Sequence, residues 1–576
     1  MKKIFLSLLF ALYIGFSFAQ PLTEYWDAEQ TKKKSEQQIK NGMQDGKFTA
    51  WYENGEVAKE GNFTMGKENG KFITYYPGKK IKIEENYSFG KKNGAWKYWY
   101  INGKKAQETY FKDDKNDSTW LGWYENGKQK SIENYKLGKK EGKWTYYYDN
   151  GQKESEGTFI NNKAEGIYLG WHANGAKQTE GQYKDGKETG TWKEYFNTGK
   201  PKQELVYENG ESLLMNQWLK TGAQIIKDGN GKITAVYDNG KKKSEGDYKG
   251  GRIEGEWMFY LSSGEKDFKV TYLKGKKDGP CINWFKNGKV KSEGPYSNDK
   301  KNGYWKWYDE TGKIEMEGTI TDDIRAGKWM YWFPTGIKES EGYYKNDRQD
   351  SLWNYNYKGG MKWKIGKYKE GKKDGVWTTW YENGQKVNEG KFVNGKEDGT
   401  WQSWYDDGVL KDEGNFKEGK MNGSWKGFLP NKTPIYEGFY KDDVKEGNWK
   451  LFYESGKLHQ EGTYKLGKKN GHWTEYTPHS FKDNEGDYKD DKQDGLWTYY
   501  YETGVKAMEQ TFRESLLSGD CKSWYEDAKL KSTTSYILMK GKKGRLDSQP
   551  NGKWVYYDKN GNIMLETTYK NGVKIK

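Results

Sequence analysis

The chain has 576 residues, enough for roughly three or four ordinary domains, but its composition excludes several conventional hydrophobic cores. Hydrophobic residues make up only 33%, whereas Gly occurs 73 times and aromatic residues reach 17%. That aromatic content excludes a disordered chain, because disordered segments are depleted in aromatic residues. The formal net charge of +15 is compatible with an acidic partner or surface.

The first residues have the pattern of a secretory signal peptide. Lys2 and Lys3 form a basic end, residues 4–18 are apolar, and residues 17–19 resemble a cleavage site with small residues at both ends. An uncleaved anchor is the alternative, but about fifteen apolar residues is short for a membrane span. We therefore predict an extracytoplasmic protein, periplasmic, on the outer surface or secreted, with no transmembrane span after cleavage.

From residue 46 onward, one pattern recurs every 24 residues. A Gly is followed two positions later by a first aromatic residue and five positions later by a second, as in Gly375, Trp377 and Trp380. The pattern occurs twenty times, and Asn356 is the one departure from the second aromatic position. Such self-similarity indicates a repeat protein.

Each repeat has the sequence of a β-hairpin. In residues 375–398, a run of strand-forming residues meets Asn383 and Gly384, which predict a two-residue type I′ turn. That turn sets Trp377 opposite Gly390 in the facing strand. We therefore predict that each large ring covers the glycine opposite it, because a strand glycine leaves a gap that an aromatic ring fills.

Short polar segments such as residues 394–398 join neighbouring hairpins. They are too short for a helical crossover, so adjacent strands should be antiparallel. The sequence predicts an all-β fold: an elongated array of about twenty 24-residue antiparallel β-hairpin repeats. The array should form a long, twisted, single-layer sheet. A parallel β-solenoid with one coil per repeat is the alternative, and the turns inside each repeat argue against it.

The repeats also predict the domain organisation. Residues 1–19 are the signal peptide, residues 20–199 form N-terminal repeats, residues 200–239 a degenerate or interrupted repeat, residues 240–528 twelve regular repeats, and residues 529–576 an insertion and a terminal repeat. We interpret the insertion as an extended loop.

The Gly, aromatic and Asn-Gly positions resemble the MORN repeat in its bacterial variant form. The resemblance covers almost all of the chain after residue 19. It implies stacked β-hairpins and roles in scaffolding, protein–protein contact or attachment to a membrane surface, without catalysis. Proteins of this variant family are often labelled antitoxin-component-like, a role that conflicts with secretion because a cytoplasmic toxin must be neutralised inside the cell.

No pattern predicts an active site, a metal centre or a cofactor site. The four histidines lack the spacing of metal ligands, and the carboxylates recur with the repeat, whereas catalytic acids are unique to one place. Cys281 and Cys521 both replace the first aromatic residue, where a small hydrophobic side chain packs. We expect neither enzymatic activity nor a disulfide between them.

Two features are candidate binding sites. A single-layer sheet has no second layer to cover it, so the second aromatic residues predict a partly exposed ladder. Its representative members are Trp123, Trp284, Trp332, Trp380 and Trp404. The repeat is interrupted around Leu213, Leu214 and Trp218, which predict a partner site or a bend. The alternatives are rings that pack on one another and a degenerate repeat that keeps its packing role.

These features favour a non-enzymatic repeat scaffold that binds a protein at the cell envelope. The alternative is a module that binds glycan or anionic lipid surfaces through the aromatic ladder. The lysines lie in turns beside acidic residues, which predicts that they are solvated side chains along the edges of the sheet. We therefore expect no nucleic-acid partner.

Overall fold

The computed structural model describes residues 20–541 and 544–576. These residues form 54 β-strands and no helix, and so include no helix suited to crossing a membrane. The predicted signal peptide, residues 1–19, lies outside the described residues. The strands fall into two compact units, one running to Gly264 and including Thr271–Lys276, the other comprising Glu265–Val270 and Lys277–Lys576.

The strands up to Gly264 are β1 (Gln20–Tyr25), β2 (Lys33–Lys40), β3 (Met43–Trp51), β4 (Val57–Thr64), β5 (Lys67–Glu68), β6 (Gly70–Tyr76), β7 (Lys80–Ser88), β8 (Lys91–Lys92), β9 (Gly94–Trp99), β10 (Lys105–Lys112), β11 (Lys115–Asn116), β12 (Ser118–Trp123), β13 (Gln129–Lys136), β14 (Lys139–Lys140), β15 (Gly142–Tyr147), β16 (Lys153–Ile160), β17 (Lys163–Trp171), β18 (Lys177–Lys184), β19 (Lys187–Tyr195), β20 (Pro201–Glu208), β21 (Glu211–Trp218), β22 (Gln224–Lys227), β23 (Asn230–Val236), β24 (Lys242–Lys249) and β25 (Arg252–Tyr260).

The strands after Gly264 are β26 (Lys266–Leu273), β27 (Lys276–Trp284), β28 (Val290–Ser297), β29 (Lys300–Lys301), β30 (Gly303–Tyr308), β31 (Ile314–Thr321), β32 (Ile324–Trp332), β33 (Lys338–Lys345), β34 (Arg348–Asn356), β35 (Lys362–Lys369), β36 (Lys372–Trp380), β37 (Lys386–Val393), β38 (Lys396–Trp404), β39 (Leu410–Lys417), β40 (Lys420–Met421), β41 (Gly423–Phe428), β42 (Pro434–Lys441), β43 (Val444–Phe452), β44 (Leu458–Lys465), β45 (Lys468–Tyr476), β46 (Lys482–Lys489), β47 (Lys492–Tyr500), β48 (Lys506–Arg513), β49 (Leu516–Trp524), β50 (Leu530–Lys540), β51 (Leu546–Pro550), β52 (Gly552–Tyr557), β53 (Ile563–Lys570) and β54 (Val573–Lys574).

Within each unit, strands that follow one another in sequence pair antiparallel, as β2, β3 and β4 do in the first unit. In the second unit, β36, β37, β38 and β39 pair in the same way. The all-β prediction of antiparallel hairpin repeats is therefore confirmed. A leading strand, divided in several repeats into two pieces such as β8 and β9, alternates with a return strand along the sheet.

The predicted hairpin register holds over most of each repeat. Trp377 lies opposite Gly390, as expected. The register then shifts by one residue before the turn, so that Trp380 is opposite Lys386. This shift is a β-bulge, which adds local twist to the hairpin.

The turn inside the repeat differs from the predicted type I′ turn. The Gly384 N–H donates to the Tyr381 carbonyl over 3.0 Å, and Gly384 has a positive φ of 87° whereas Asn383 does not. This is the three-residue hairpin loop in which a left-handed glycine follows a type I turn and forms the bulge. The prediction of type I′ geometry at this Asn-Gly pair was wrong.

Type I′ geometry occurs instead between repeats. Asn394 and Gly395 both have positive φ, 51° and 87°, and the flanking Val393 and Lys396 pair directly. The strand β38 begins immediately after this turn. Residues 396–398, expected to form part of a polar connection, therefore belong to the sheet.

The glycine that each ring covers is also not the predicted one. Trp377 lies over Gly366 of the preceding repeat, where an added Cβ would overlap its indole. The indole N–H donates to the carbonyl of Lys367 over 3.0 Å. Gly390, opposite Trp377 in the register, is covered by Trp401 of the following repeat. The aromatic–glycine contact therefore joins neighbouring repeats rather than the two strands of one hairpin.

The core of each unit is an aromatic row along the sheet. We call the first aromatic residues of the repeats the first aromatic row. Most of its members are deeply buried, for example Trp305 at 0% and Trp353 at 1% exposure. Aromatic residues of the return strands lie between them edge to face, with 4.9 Å from Tyr368 to Trp377 and 5.6 Å from Phe392 to Trp401 between ring centroids.

The interruption at residues 200–239 is a shortened hairpin. The return strand β22 has four residues, half the usual length. A turn of the following hairpin fills the gap that the short strand leaves. In that turn, the Gly251 carbonyl oxygen accepts from the Leu214 N–H, and the Gly251 N–H donates to the Gly229 carbonyl oxygen, both over 2.9 Å. The degenerate repeat therefore remains part of the sheet.

The C-terminal insertion extends a hairpin. Strand β50 has eleven residues and pairs with β51 from Tyr536 opposite Pro550 to Lys540 opposite Leu546. The expectation of an extended loop before the last repeat was wrong. The added residues lengthen both strands because they continue the antiparallel register.

Candidate interaction surfaces

The five tryptophans of the predicted ladder, Trp123, Trp284, Trp332, Trp380 and Trp404, are all half-buried. We call the second aromatic residues of the repeats the second aromatic row. They occupy the face opposite the first aromatic row, because side chains alternate along a strand. Part of each ring therefore remains accessible to solvent.

Lysines cover several rings of the second aromatic row. The Lys386 Nζ lies 5.2 Å from the Trp404 ring centroid, within cation–π range. The lysine comes from the preceding repeat, eighteen residues before the ring. The same arrangement occurs at Lys105 over Trp123 (5.1 Å), Lys153 over Trp171 (5.3 Å), Lys177 over Tyr195 (5.9 Å) and Lys266 over Trp284 (5.5 Å).

The repeated glutamate ahead of the second glycine completes this arrangement. Lys386 forms a 2.8 Å ion pair with Glu389. In six repeats whose second aromatic residue is Tyr, its hydroxyl donates to the glutamate fifteen residues earlier, as Tyr260 does to Glu245 over 2.6 Å. This hydrogen bond, reinforced by burial, raises the pKa of Tyr260 to about 12. The periodic carboxylates are therefore engaged in contacts between repeats.

Tyrosine hydroxyls near the turns form another link between repeats that the sequence analysis missed. The Tyr381 hydroxyl donates to the Trp404 carbonyl over 3.1 Å. His172 occupies the equivalent position and places Nε2 3.0 Å from the Tyr195 carbonyl. Its substitution for Tyr therefore preserves the contact. The signal was available, since Tyr recurs there every 24 residues.

Where the turn inside a repeat contains an asparagine at this position, as at Asn383, that residue links two repeats as well. Asn383 accepts from the Gln385 N–H through Oδ1 over 2.9 Å. Its Nδ2 donates to the Asp406 carbonyl in the next repeat over 2.6 Å. The Asn383 side chain therefore uses its amide oxygen within the turn and its amide nitrogen towards the next repeat. Neither contact requires a left-handed backbone at Asn383.

The two cysteines occupy the predicted positions in the first aromatic row. Both thiols are buried and free. Burial raises the pKa of Cys281 and Cys521, which disfavours the reactive thiolate. Both thiols thus behave as packing groups in this structure.

The candidate residues at the interruption are part of the sheet. Leu214 is buried, and Leu213 is half-buried against Gly251. Trp218 pairs with Gln224 at the register position of a second aromatic residue and is half-buried. The structure brings these three side chains into the packing of one shortened repeat.

An exposed apolar stripe on the second-row face was not predicted. We call Tyr304, Tyr343, Leu352 and Val376 the exposed stripe; they are 43%, 46%, 40% and 58% exposed. Lysines lie opposite three of them in the register: Lys328 faces Tyr343, Lys367 faces Leu352 and Lys391 faces Val376. Three of its members, Tyr304, Leu352 and Val376, directly follow the leading residue of a repeat, and this position varies among repeats, so the repeat pattern gave no signal for them.

Similarity to known proteins follows the repeat. A family model described as "MORN repeat variant" matches thirteen segments: residues 44–64, 68–88, 92–113, 140–161, 188–209, 277–298, 301–322, 325–346, 373–394, 397–418, 445–466, 493–514 and 550–571. No curated protein matches the chain.

Solved structures with similarity to this chain include large toxin proteins. One is the Tc holotoxin pore of Photorhabdus luminescens, at 10% identity and a TM-score of 0.12, covering 96% of this chain and 30% of that chain. Another is the TcdB2–TccC3 complex with Cdc42, at 9% identity and a TM-score of 0.11, covering 96% and 35%. This chain thus spans about a third of their length. The thirteen matched segments, whose glycine and aromatic positions carry the contacts between hairpins, show that the chain belongs to the MORN repeat family in its variant form.

Proposed function

We propose that this chain is a non-enzymatic repeat scaffold that binds a protein partner through the exposed stripe. The observation that carries the proposal is the difference between the two faces. The first aromatic row is buried, whereas the second-row face presents Tyr304, Tyr343, Leu352 and Val376 to solvent. Clustered exposed apolar side chains of this kind are typical of protein-binding surfaces.

The partner's chemistry follows from the residues beside the stripe. Exposed Lys367 and Lys391 lie opposite Leu352 and Val376, whereas Lys328, opposite Tyr343, is paired with Glu341. A partner segment with apolar side chains and flanking carboxylates would match both features. Such charge complementarity adds mainly to orientation and association rate.

We place this interaction at the cell envelope. The support is the N-terminal pattern of basic residues, an apolar run and a cleavage site. Fractionation of cells that express the chain with a C-terminal tag tests this. Processed protein in an envelope or secreted fraction supports the placement, and full-length protein in the cytoplasm contradicts it.

The second candidate, a glycan- or anionic-lipid-binding module, has support in the partly accessible tryptophans. Sugar stacking needs an open ring face, however, and Lys386 lies over Trp404. That lysine is itself paired with Glu389, which reduces the positive charge available to an anionic surface. Unchanged envelope binding by Trp380→Ala and Trp404→Ala would exclude this candidate, whereas loss of binding by correctly folded variants would favour it.

The test of the leading proposal is crosslinking in intact cells followed by identification of the crosslinked protein. The variant Tyr343→Ser/Val376→Ser removes two of the four exposed apolar side chains of the stripe and should sharply reduce a discrete crosslinked species. Leu466→Ser is the matched control, because Leu466 is 79% exposed and lies outside the stripe. Equal crosslinking by the stripe variant and the control would contradict the proposal.

A further inference from the structure

The second aromatic row lacks one ring. Asn356 stands where the other nineteen repeats have an aromatic residue. Its register confirms the equivalence, because Asn356 pairs with Lys362 just as Trp380 pairs with Lys386. The row thus has an amide between Trp332 and Trp380.

The groups that contact a ring in other repeats are present at this position. In ten of the other repeats a lysine lies eighteen residues before the second aromatic residue, as Lys386 does before Trp404, and Lys338 stands at that distance from Asn356. The glutamate that accepts from a tyrosine hydroxyl lies fifteen residues earlier, which corresponds to Glu341. Lys338 and Glu341 form a 2.9 Å ion pair, as Lys386 and Glu389 do beside Trp404.

The absent ring leaves a cavity. A space of about 450 Å³ lies at this position, and its lining includes Lys338, Glu341, Asn356 and Trp380. The Asn356 amide donates to the Lys338 carbonyl over 2.9 Å, so the short side chain is held at one wall. Lys338 and Lys328 lie within 3.0 Å of the Glu341 carboxylate, and they keep its pKa below the usual value. The cavity thus has an aromatic wall, an ammonium group and an ionised acceptor.

We propose that this Asn356 cavity binds a phenol ring, supplied by a tyrosine side chain of the protein partner. The ring would take the place of the absent aromatic residue, next to the Lys338 ammonium and beside the Trp380 ring. Its hydroxyl would donate to Glu341, as the Tyr476 hydroxyl donates to Glu461 over 2.8 Å and that of Tyr308 to Glu293 over 2.6 Å. The chain's own tyrosines thus provide the template for the ligand.

This inference rests on the proposed function, because it names a side chain by which the partner is recognised. The cavity also lies in the same repeats as the exposed stripe, since Leu352 and Asn356 belong to one strand, β34. A tyrosine within an acidic and apolar segment of the partner would engage both sites.

The test is ligand-observed NMR on the full chain with N-acetyl-tyrosinamide as the probe. We expect saturation transfer to the phenol ring and a dissociation constant of about 0.1–1 mM, the range for a ligand of this size. N-acetyl-phenylalaninamide should bind several-fold more weakly, because it has no hydroxyl to donate to Glu341.

Two variants make the test specific. Asn356→Trp restores the residue type of neighbouring repeats and should fold, yet it should reduce probe binding at least tenfold by filling the cavity. Trp404→Asn should create a second cavity beneath Lys386 and raise the number of bound probes. Unchanged hydrogen-exchange protection of the neighbouring repeats would show that the variant is folded. Equal binding by wild type and Asn356→Trp, or no binding by wild type, would overturn the inference.

Two outcomes separate a failure of the phenol assignment from a failure of the proposed function. If the probe binds the cavity while the stripe variant crosslinks as strongly as Leu466→Ser, the Asn356 cavity stands and the partner surface is wrong. If crosslinking depends on the stripe but the probe does not bind, the phenol assignment alone is overturned.

Discussion

At the scale of single residues, glycine and tryptophan have complementary roles in adjoining repeats. Gly366 allows the Trp377 indole to lie against the backbone, and the Lys367 carbonyl then accepts from the indole N–H. A side chain at Gly366 would occupy the space of the ring. The repeated glycine is thus required because the indole of the next repeat lies against its backbone. The residue opposite it in the register does not impose that requirement.

Gly366→Ala should therefore destabilise the second unit by about 1–3 kcal/mol, the usual cost of overpacking. The matched control is Gly359→Ala, because a Cβ at Gly359 has open space and its φ is not left-handed. Urea unfolding followed by tryptophan fluorescence measures both. A control variant that loses as much stability as Gly366→Ala would contradict the close-approach argument.

The sequence was sufficient to predict which residues are paired but not which ring covers which glycine. Trp377 and Gly390 are opposite one another, as the period and the turn position predicted. The direction of the indole depends on the bulge in the neighbouring strand pair, where the register shifts between Ile365 and Lys367. That shift is a property of two adjacent repeats, and pairing rules within a single hairpin do not contain it.

At the scale of the hairpin, two Asn-Gly turns of similar sequence have different geometry. Asn394-Gly395 closes a two-residue type I′ turn, whereas Asn383-Gly384 ends a longer loop. The composition of the two turns is alike, so turn propensity alone does not separate them. The Asn383 amide, which donates to Asp406 in the next repeat, distinguishes them physically.

Asn383→Asp should remove this donor while leaving the acceptor that bonds Gln385 N–H. We expect a loss of about 0.5–1.5 kcal/mol, the net value of one hydrogen bond. Asp407 shows that the remaining contact is compatible with the turn, since it accepts from Val409 N–H over 2.9 Å in the equivalent position. Hydrogen exchange of the amides near residue 406 provides the measurement, and unchanged exchange there would contradict the role of the amide.

The hairpin scale also shows why the candidate sites were only partly predictable. Position within the repeat correctly placed Trp380 and Trp404 in one row, because the period fixes the face of each residue. It did not give their exposure, since Lys386 arrives over Trp404 from the preceding repeat. Nor did it reveal the exposed stripe, whose members are of three residue types and occupy two different positions in the repeat.

At the scale of the whole molecule, each unit is stabilised mainly between neighbours in sequence, as in other repeat proteins. The first aromatic row, the tyrosine hydroxyls and the turn asparagines all join one repeat to the next. None of these contacts needs the second-row face to be covered. This division leaves that face for the partner proposed above.

The tyrosine–glutamate pairs predict an alkaline limit to stability. Burial and hydrogen bonds to glutamate raise the pKa of six tyrosines to about 12: Tyr75, Tyr195, Tyr260, Tyr308, Tyr476 and Tyr500. An unfolded chain releases these protons near pH 10, so deprotonation favours unfolding. Their stabilisation is complete below about pH 10 and is lost as the pH rises towards 12.

A pH titration that follows phenolate absorbance and near-ultraviolet circular dichroism together tests this limit. We expect the dichroism signal to be lost as the late-titrating tyrosines ionise. Ionisation of all tyrosines near pH 10 with the dichroism unchanged would contradict the assignment of these hydrogen bonds.

Each repeat is held in place by its immediate neighbours through the first aromatic row. Trp353 is 1% exposed and lies over Gly342 of the preceding repeat, so Trp353→Ala should cost about 3–5 kcal/mol locally. Hydrogen exchange mapped by mass spectrometry along the full chain measures where protection is lost. We expect the loss of protection to be concentrated in β33, β34 and the strands next to them, with protection in distant repeats of the same unit unchanged. Uniform loss along the chain, or unchanged protection in β33 and β34, would contradict it.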